Sequence, residues 1–490
     1  MKLKDLHKLK KLCNTMIYFY KDNFYIKILP AFNLVNEHPI NINRFKFVIE
    51  KKYSKIFIYL ISSIIIYKYK MFLNFFHKKY SPESFFSTLD EKYDNIFVSH
   101  LVNDETKSEN DFYFKNLPII SAEKRNTLVI LIDHNNLAKR IAKKIYKKRY
   151  TTLILSNNLP IKIKFIFFFK TMRVFFRILK DLIFSNNDKY ILFNSLASLF
   201  RENTQMTYRL SYQFNLIFNK FKPKNIFFTY EGYSWEKALC ILINSKYKDT
   251  KTIGFQHTKI YSKTLFKNEI FEKEMEPNII LTTGKFSSDV FSENKKFSQI
   301  INIGKPDKKE AYKIKDKIGL DKNIRICVLP EGIDDECYRL ISFALKCAKK
   351  YKDLIFVCRF HPLTNFNKLY KAIDLKKKLP QNIIISNSNL ESDLKKSNYA
   401  LYRGSASIFT AMKNGVIPVY LMINDEVNIG ITDNKYDWHL IANTPDDFYR
   451  KIINTFNDNY LKKNRDDIIK FYNKYFENFN YTKFEKIVSQ

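Results

Sequence analysis

Six short polar turns in this sequence carry the residue types that handle protons and phosphates. They are Tyr230-Glu231-Gly232, Gln256-His257-Thr258, Thr282-Thr283-Gly284, Pro330-Glu331-Gly332, Arg359-Phe360-His361-Pro362 and Arg403-Gly404-Ser405-Ala406-Ser407. A carboxylate such as Glu231 can take a proton from a hydroxyl, and a histidine such as His361 can give one to a departing oxygen. Arginine holds phosphate oxygens bidentately, and only two of the 14 arginines, Arg359 and Arg403, stand in these turns. Gly404 lets backbone approach an anion, while the hydroxyls of Ser405 and Ser407 and the first N–H groups of the following segment, SIFTAMKNG, can hold it. Plainer roles exist for the same residues: a carboxylate before glycine also makes a turn or a cap. Asp334, Asp335 and Glu336 read as the acidic first turn of a helix. Together the turns point to an anionic, phosphate-bearing ligand, held mainly by the C-terminal half through Arg359, Arg403, Gly404, Ser405, Ser407, Glu331 and Gly332, with Thr283 and Gly284 on the N-terminal side.

Each turn ends a short apolar run, and those runs are what must position it. The first series is NIFVSHLV (95–102), TLVILIDH (127–134), TTLILSNN (151–158), KNIFFTYEG (224–232), KTIGFQHT (251–258) and NIILTTGK (278–285). The second is IRICVLPEG (324–332), DLIFVCRFHP (353–362), NIIISNSN (382–389), YALYRGSAS (399–407) and GVIPVYL (415–421). Continuous β-branched and aromatic runs alternating with helical segments predict buried parallel strands in βαβ units. Two series predict two doubly wound α/β domains, at 96–305 and 324–450, joined by the lysine-rich stretch 304–323. Residues 1–95 read as a basic, aromatic, mostly helical extension, and 451–490 as C-terminal helices. In such sheets ligands bind beyond the carboxyl ends of the strands.

Composition narrows the class. The chain has 490 residues but nine glycines, none before Gly232. Glycine belongs where backbone turns sharply or meets a ligand closely, so the N-terminal 231 residues read as scaffold and surface contact. Hydrophobic residues make up 46% of the chain, enough for large cores and against wholesale disorder. The six cysteines form no C-x-x-C pair and no zinc pattern, so a reducing, cytoplasmic setting and no structural metal are expected. A basic start without an apolar core to follow does not make a signal peptide. The longest apolar run, IFIYLISSIIIY (56–67), is too short to span a bilayer.

The net charge is +35, and residues 131–230 hold 19 Lys and Arg against 4 Asp and Glu. Part of this excess follows from a composition rich in Lys, Asn, Ile, Phe and Tyr, as an AT-rich genome encodes. Within it, residues 162–184 predict an amphipathic helix with Lys170, Arg173, Arg177 and Lys180 along one face and Phe168, Phe169, Phe175, Phe176, Leu179 and Ile183 over much of the rest. That pattern suits the interface of an anionic membrane, and equally a packing helix with a basic wet face.

The sequence has no G-x-G-x-x-G, no G-x-x-x-x-G-K-[ST], no G-x-S-x-G and no D-x-D pair in the strand-end turns. What it does carry resembles a family. The ordered set YEG (230–232), RFHP (359–362) and RGSAS (403–407) resembles the acidic-Gly, His-Pro and Ser motifs of bacterial sialyl- and Kdo-transferases, which use CMP-activated sugars. The stretch from LPEG through RFHP to SNYALYRGSASIFTAMKNGVIPVYL resembles bacterial surface-carbohydrate biosynthesis proteins. The resemblance covers about residues 224–425 and implies a GT-B fold, two Rossmann-like domains facing a cleft with the donor held by the second. It implies Glu231 as general base, His361 as the group that contacts and protonates the departing phosphate, and Ser405 and Ser407 as hydrogen-bond donors to it. Tyr230 stands where the family often has a first carboxylate. Gln256 and His257 resemble a turn of polymerising surface-polymer transferases, which implies acceptor or donor contact there and at Tyr230.

The expectation is a metal-independent glycosyltransferase without a cofactor. It would move a sugar from a nucleotide-activated donor, a CMP-sugar, to a lipid-linked or polysaccharide acceptor for capsule or lipopolysaccharide, on the inner face of the cytoplasmic membrane. Three alternatives stay open: a CDP-alcohol phosphotransferase of teichoic-acid type, a nucleotide-sugar epimerase, and a non-enzymatic nucleic-acid binder. The last is disfavoured because the cations interleave with phenylalanines rather than form a reader motif.

Overall fold

The structure is a computed structural model and describes residues 3–32, 54, 57–58, 60–65, 89, 92–102, 109–133, 145–147, 149–157, 159–257, 259–260, 272–307, 324–360, 379–424, 426–432 and 436–490. His361 and Pro362, Thr258, residues 308–323 of the expected linker and most of 33–91 lie outside them. The chain forms two units. The first comprises residues 1–257, 265–307 and 478–490, and the second 258–264 and 308–477.

The first unit is built on eight strands: β1 (Asn95–Leu101), β2 (Thr127–Asp133), β3 (Ile145–Lys147), β4 (Thr151–Ile154), β5 (Asn225–Thr229), β6 (Lys251–Phe255), β7 (Ile279–Thr282) and β8 (Gln299–Asn302). Their order is β3-β4-β2-β1-β5-β6-β7-β8, parallel throughout except for the β3–β4 edge pair. β2 is buried at all seven positions, as its unbroken apolar run predicts for a strand covered on both faces. On one side of the sheet Phe97 stacks on Phe227 at 4.4 Å, and both belong to a core closed by Phe484, Ile487 and Val488 of the C-terminal helix Tyr481–Ser489. At the amino ends of the strands, buried Asn95 donates to Ser121 Oγ (2.9 Å) and to the Val488 carbonyl (3.1 Å), tying that helix down. The helix Ile161–Phe184 is the longest of the described helices and packs against Lys189–Leu199.

The second unit has six parallel strands: β9 (Ile324–Leu329), β10 (Leu354–Cys358), β11 (Ile383–Ile385), β12 (Tyr399–Tyr402), β13 (Ile417–Leu421) and β14 (Leu440–Ala442). Their order is β11-β10-β9-β12-β13-β14. Its core contains a polar group: the Tyr402 hydroxyl meets His439 Nε2 at 2.8 Å, and His439 Nδ1 meets Thr432 Oγ1 at 2.7 Å. Tyr402 and Tyr420 hydroxyls also accept the backbone N–H groups of Ile431 and Ile429, which fixes the loop after β13. All six cysteines are free and buried.

Both sheets run outward from a central first strand, the strand order of doubly wound Rossmann-like domains, and each has one switch point where the order reverses. In the first unit it lies between β1 and β5, in the second between β9 and β12. Among the described residues no helix is long and apolar enough to cross a membrane.

Candidate functional site

The switch point of the first unit gathers the titratable side chains. β5 ends at Thr229, and the chain turns through Tyr230-Glu231-Gly232, with Gly232 at φ 88° where a side chain would be strained. Glu236, in the first turn of the helix Ser234–Lys246, reaches back to accept the N–H groups of Glu231 (3.0 Å), Gly232 (2.5 Å) and Tyr233 (3.0 Å). The turn is therefore folded around a buried carboxylate. Burial first, then the charge of Glu231, push the Glu236 carboxyl well above the usual range against those three donors.

So held, Glu231 Oε1 meets His257 Nε2 at 3.2 Å, from the turn that follows β6. Burial works against the charged form of Glu231, but the hydrogen bond and charge of His257, helped by Tyr233 and His100, outweigh it and hold this carboxyl below its usual range. The His257 side chain is 8% exposed, and its other nitrogen, Nδ1, is buried with no hydrogen-bond partner among the described residues. Facing a carboxylate, Nε2 donates its N–H to Glu231. Tyr113 packs edge-on to His257 at 4.6 Å and to His100 at 5.5 Å. Its loop is fixed by buried Asp111, which accepts the N–H groups of Tyr113 (2.9 Å) and Phe114 (2.6 Å). His100, at the end of β1, bonds Thr229 Oγ1 at 2.9 Å.

The neighbouring turns are structural in their contacts. Tyr230 is a core ring beside Phe228 and Phe291, and it packs on Gly254 so closely that a Cβ there would lie 2.9 Å from its own Cβ. Gln256 is buried and its side-chain oxygen accepts from Thr283 Oγ1 at 3.1 Å. Gly284 has extended backbone at φ 176° and precedes the helix Lys285–Asn294.

In the second unit, Glu331 follows β9 and Arg403-Gly404 follow β12, on either side of the switch point. A Cβ on Gly404 would lie 2.0 Å from Glu331 Oε1, so the carboxylate rests on the glycine turn. Arg403 is 3% exposed and every guanidinium nitrogen is engaged: Nε on Glu336 (2.5 Å), Nη2 on Glu426 and Nη1 on the Leu421 carbonyl (3.3 Å). Arg359 is paired with Asp393 and donates to the Ser388 carbonyl (2.8 Å) and Ser386 Oγ (3.3 Å). Arg403 thus braces its strand-end turn from within, whereas Arg359 is 22% exposed and, among the described residues, is engaged through Nη1 alone. Glu336, read as a simple first-turn acid, is the buried partner of Arg403. Ser405 is buried and its hydroxyl accepts the Ser407 N–H at 3.3 Å, while Ser407 is partly exposed. Gly332 lies in the turn leading to the helix Asp334–Lys350.

Sequence reading passed over two residues of these sites. His100 lies inside an apolar run and carries no turn signal. Lys259 stands two residues past His257 but belongs to the second unit, where Nζ reaches the Ile429 carbonyl at 3.4 Å. Burial lowers its ammonium to about 8, while Glu331 and Glu336 pull the other way.

The basic helix differs in detail from its expected faces. Its packed stripe is Phe167, Thr171, Val174, Ile178 and Asp181. Lys170 is turned inward, with Nζ on the Tyr25 hydroxyl at 2.5 Å and 4.8 Å over its ring. Arg173, Arg177 and Lys180 are exposed, with Arg177 3.3 Å from Asp181. On the same exposed surface lie Phe165, Ile166, Phe169, Phe176, Ile183 and Phe184. Cations and rings are therefore interleaved rather than segregated.

What fold and sites define is a doubly wound α/β protein of two Rossmann-like units, with a carboxylate–imidazole pair at one switch point and a carboxylate over a glycine turn at the other. Among solved structures it is similar to the glycotransferase of kitacinnamycin (11% identity, TM-score 0.46, 81% of this chain and 98% of that one). It is also similar to a putative UDP-N-acetylglucosamine 2-epimerase from Listeria monocytogenes (11%, TM-score 0.47, 80% and 94%), and to a glycosyltransferase from Streptomyces nogalater (10%, TM-score 0.43, 81% and 99%). No protein-family model and no curated protein matches the sequence. The fold class rests on the strand order itself.

Proposed function

We propose that this protein is a glycosyltransferase of GT-B type that moves a sugar from a nucleotide-activated donor to a hydroxyl of a lipid-linked or polysaccharide acceptor, without a metal, at an anionic membrane surface. The observation that carries the reading is the Glu231–His257 pair at the switch point of the first unit. Glu231 takes the proton of the acceptor hydroxyl as its oxygen bonds to the anomeric carbon. His257 Nε2, 3.2 Å away, holds the carboxylate in place. The bond from the anomeric carbon to the donor phosphate breaks, and the phosphate leaves with the electron pair. General-base help of this kind is worth about 10²–10⁴-fold.

The second unit takes the nucleotide. With Arg403 engaged by carboxylates, the groups that meet the departing charge are Arg359, the Ser405 and Ser407 hydroxyls, Lys259 and His361. Thr283 and Gly284 shape the first unit's turns. The choice of a CMP-sugar and of a surface-glycan acceptor is supported by the resemblance of YEG, RFHP and RGSAS to the sialyl- and Kdo-transferase motifs. The membrane surface is supported by the exposed cations and rings of the helix Ile161–Phe184.

A panel of CMP-, UDP-, GDP- and CDP-linked compounds, assayed for nucleotide release with a glycan acceptor, tests the reading. Release from a CMP-sugar is expected. Glu231→Gln should lower kcat by about 10²–10⁴-fold, with His257→Ala falling less because the carboxylate base remains. Release from CDP-alcohols alone would make the protein a phosphotransferase. Full activity in both variants would remove the pair from the mechanism.

A further inference from the structure

The first unit holds a cavity of about 720 Å³ that plays no part in the chemistry above. Its walls include Thr250 and Lys251 at the start of β6 and Asn278 just before β7. It therefore opens at the amino ends of these strands, whereas Glu231 and His257 follow their carboxyl ends. A five-residue strand separates the two edges by roughly 17 Å. Neither a donor nor an acceptor at the Glu231–His257 pair would occupy it.

The charges of the cavity sort into two sets. Its acids are largely engaged: Glu272 and Glu274 both pair with buried Lys27, and Glu276 faces Lys295 at 3.9 Å and accepts the Phe297 N–H at 3.3 Å. The remaining cations are Lys21, Lys248, Lys251 and Lys273, set against Asp22. Lys251 also donates to the Gln490 side chain at 3.1 Å. Four lysines around one opening suit an anion of compact charge, and a phosphate is the common one.

The rim says where that phosphate is. Phe297, 48% exposed, lines the cavity, and Tyr18 and Phe19, 70% and 44% exposed, end the helix Leu3–Phe19 just ahead of Lys21. Lys21 Nζ lies 5.5 Å over the Tyr18 ring. The exposed positions of that helix before its rings are Lys4, Lys8, Lys11 and Thr15, with no acid among them. The next residue, Tyr20, donates to Asp181 Oδ2 at 2.7 Å and so fastens this end to the helix Ile161–Phe184. A soluble phosphate has no use for exposed rings. A lipid headgroup does, because aromatic side chains settle at the level of the headgroups while lysines meet the phosphate.

We propose that this cavity is a headgroup site for an anionic phospholipid, with Lys21, Lys248, Lys251 and Lys273 around the phosphate and Tyr18, Phe19 and Phe297 in the bilayer interface. It rests on the membrane-surface part of the function proposed above and is independent of the sugar-transfer part.

The test is co-sedimentation of the full chain with vesicles of phosphatidylcholine, with and without about a third phosphatidylglycerol. The cavity variant is Lys21→Gln/Lys248→Gln/Lys251→Gln/Lys273→Gln. A control removes the same charge from the second unit, as Lys462→Gln/Lys463→Gln/Lys470→Gln/Lys474→Gln. All eight lysines are exposed, so both variants should fold, which circular dichroism verifies. The cavity variant should lose about ten-fold or more in affinity for the anionic vesicles, while the control stays within about two-fold. Tyr18→Ser/Phe19→Ser should remove the part of binding that survives high salt. Equal loss in both lysine variants would reduce the effect to net charge and overturn the site. Wild type that binds inorganic phosphate through these lysines but not vesicles would overturn the lipid assignment. Wild type that binds no anionic vesicle would overturn the membrane reading and this site with it, whereas wild-type binding left intact in the cavity variant would overturn the site alone.

Discussion

Residues in this protein act through what holds them. Glu231 is legible in sequence as a carboxylate in a strand-end turn, yet its partner is a histidine 26 positions later, and the pairing follows from β5 and β6 lying side by side. Arg403 shows the opposite case. Its type and position suggest phosphate recognition, but Glu336 and Glu426, which engage it, come from other parts of the second unit. Gly404 is glycine because Glu331 lies where a methyl group would be. His439 gives a residue-scale prediction. Burial pushes its pKa down to about 4, from the ordinary 6.5, while Tyr402 and Thr432 occupy both ring nitrogens. The unfolded chain therefore binds the extra proton between these values. The neutral imidazole's stability contribution is full above pH 6.5 and is lost progressively as pH falls toward about 4, with an upper bound near 3 kcal/mol. Urea unfolding at pH 7 and pH 5 should show the drop, and His439→Gln should flatten it; an unchanged pH dependence would sink the assignment.

At the scale of elements, all eleven strand-like runs read from sequence are strands, because a run buried on both faces leaves no doubt about its environment. β3, β8 and β14 escaped notice: each has three or four residues, and each closes an edge of its sheet. The helix Ile161–Phe184 was legible as helical and basic, but its faces were not. Only one narrow stripe packs, and it includes polar Thr171 and Asp181, so phenylalanines that an ordinary amphipathic helix would bury are left outside. Such an exposed apolar surface calls for a partner, and the segment 161–184 holds six cations and one acid, Asp181. Phe165→Ser/Phe169→Ser/Phe176→Ser, all on the exposed face, should leave thermal stability within about 0.5 kcal/mol per site and abolish the salt-resistant binding of anionic vesicles. Retained binding at high salt would remove this helix from the membrane contact.

For the whole molecule, the chain does not divide where its composition does. The second unit takes residues 258–264 from the middle of the first, and the last thirteen residues return to the first. Phe484, Ile487 and Val488 are buried there, and each contributes about 1.5–3 kcal/mol by its burial. Deleting residues 478–490 should therefore destabilise the first unit by several kcal/mol while sparing the second; two separate transitions by calorimetry, with only one shifted, would show it. The sequence by itself determined the class of fold and the strand-end turns, because both are local: a buried strand needs an unbroken apolar run, and glycine marks the turn after it. Glycine's absence before Gly232 fits, since the two switch-point turns Gly232 and Gly404 shape lie beyond it. Tertiary structure alone decided which turn residues pair with each other, which arginines are spent on internal carboxylates, and which face of the basic helix is left uncovered. Those outcomes depend on strand order and on packing between segments tens of residues or more apart, and residue type carries no record of its distant neighbours.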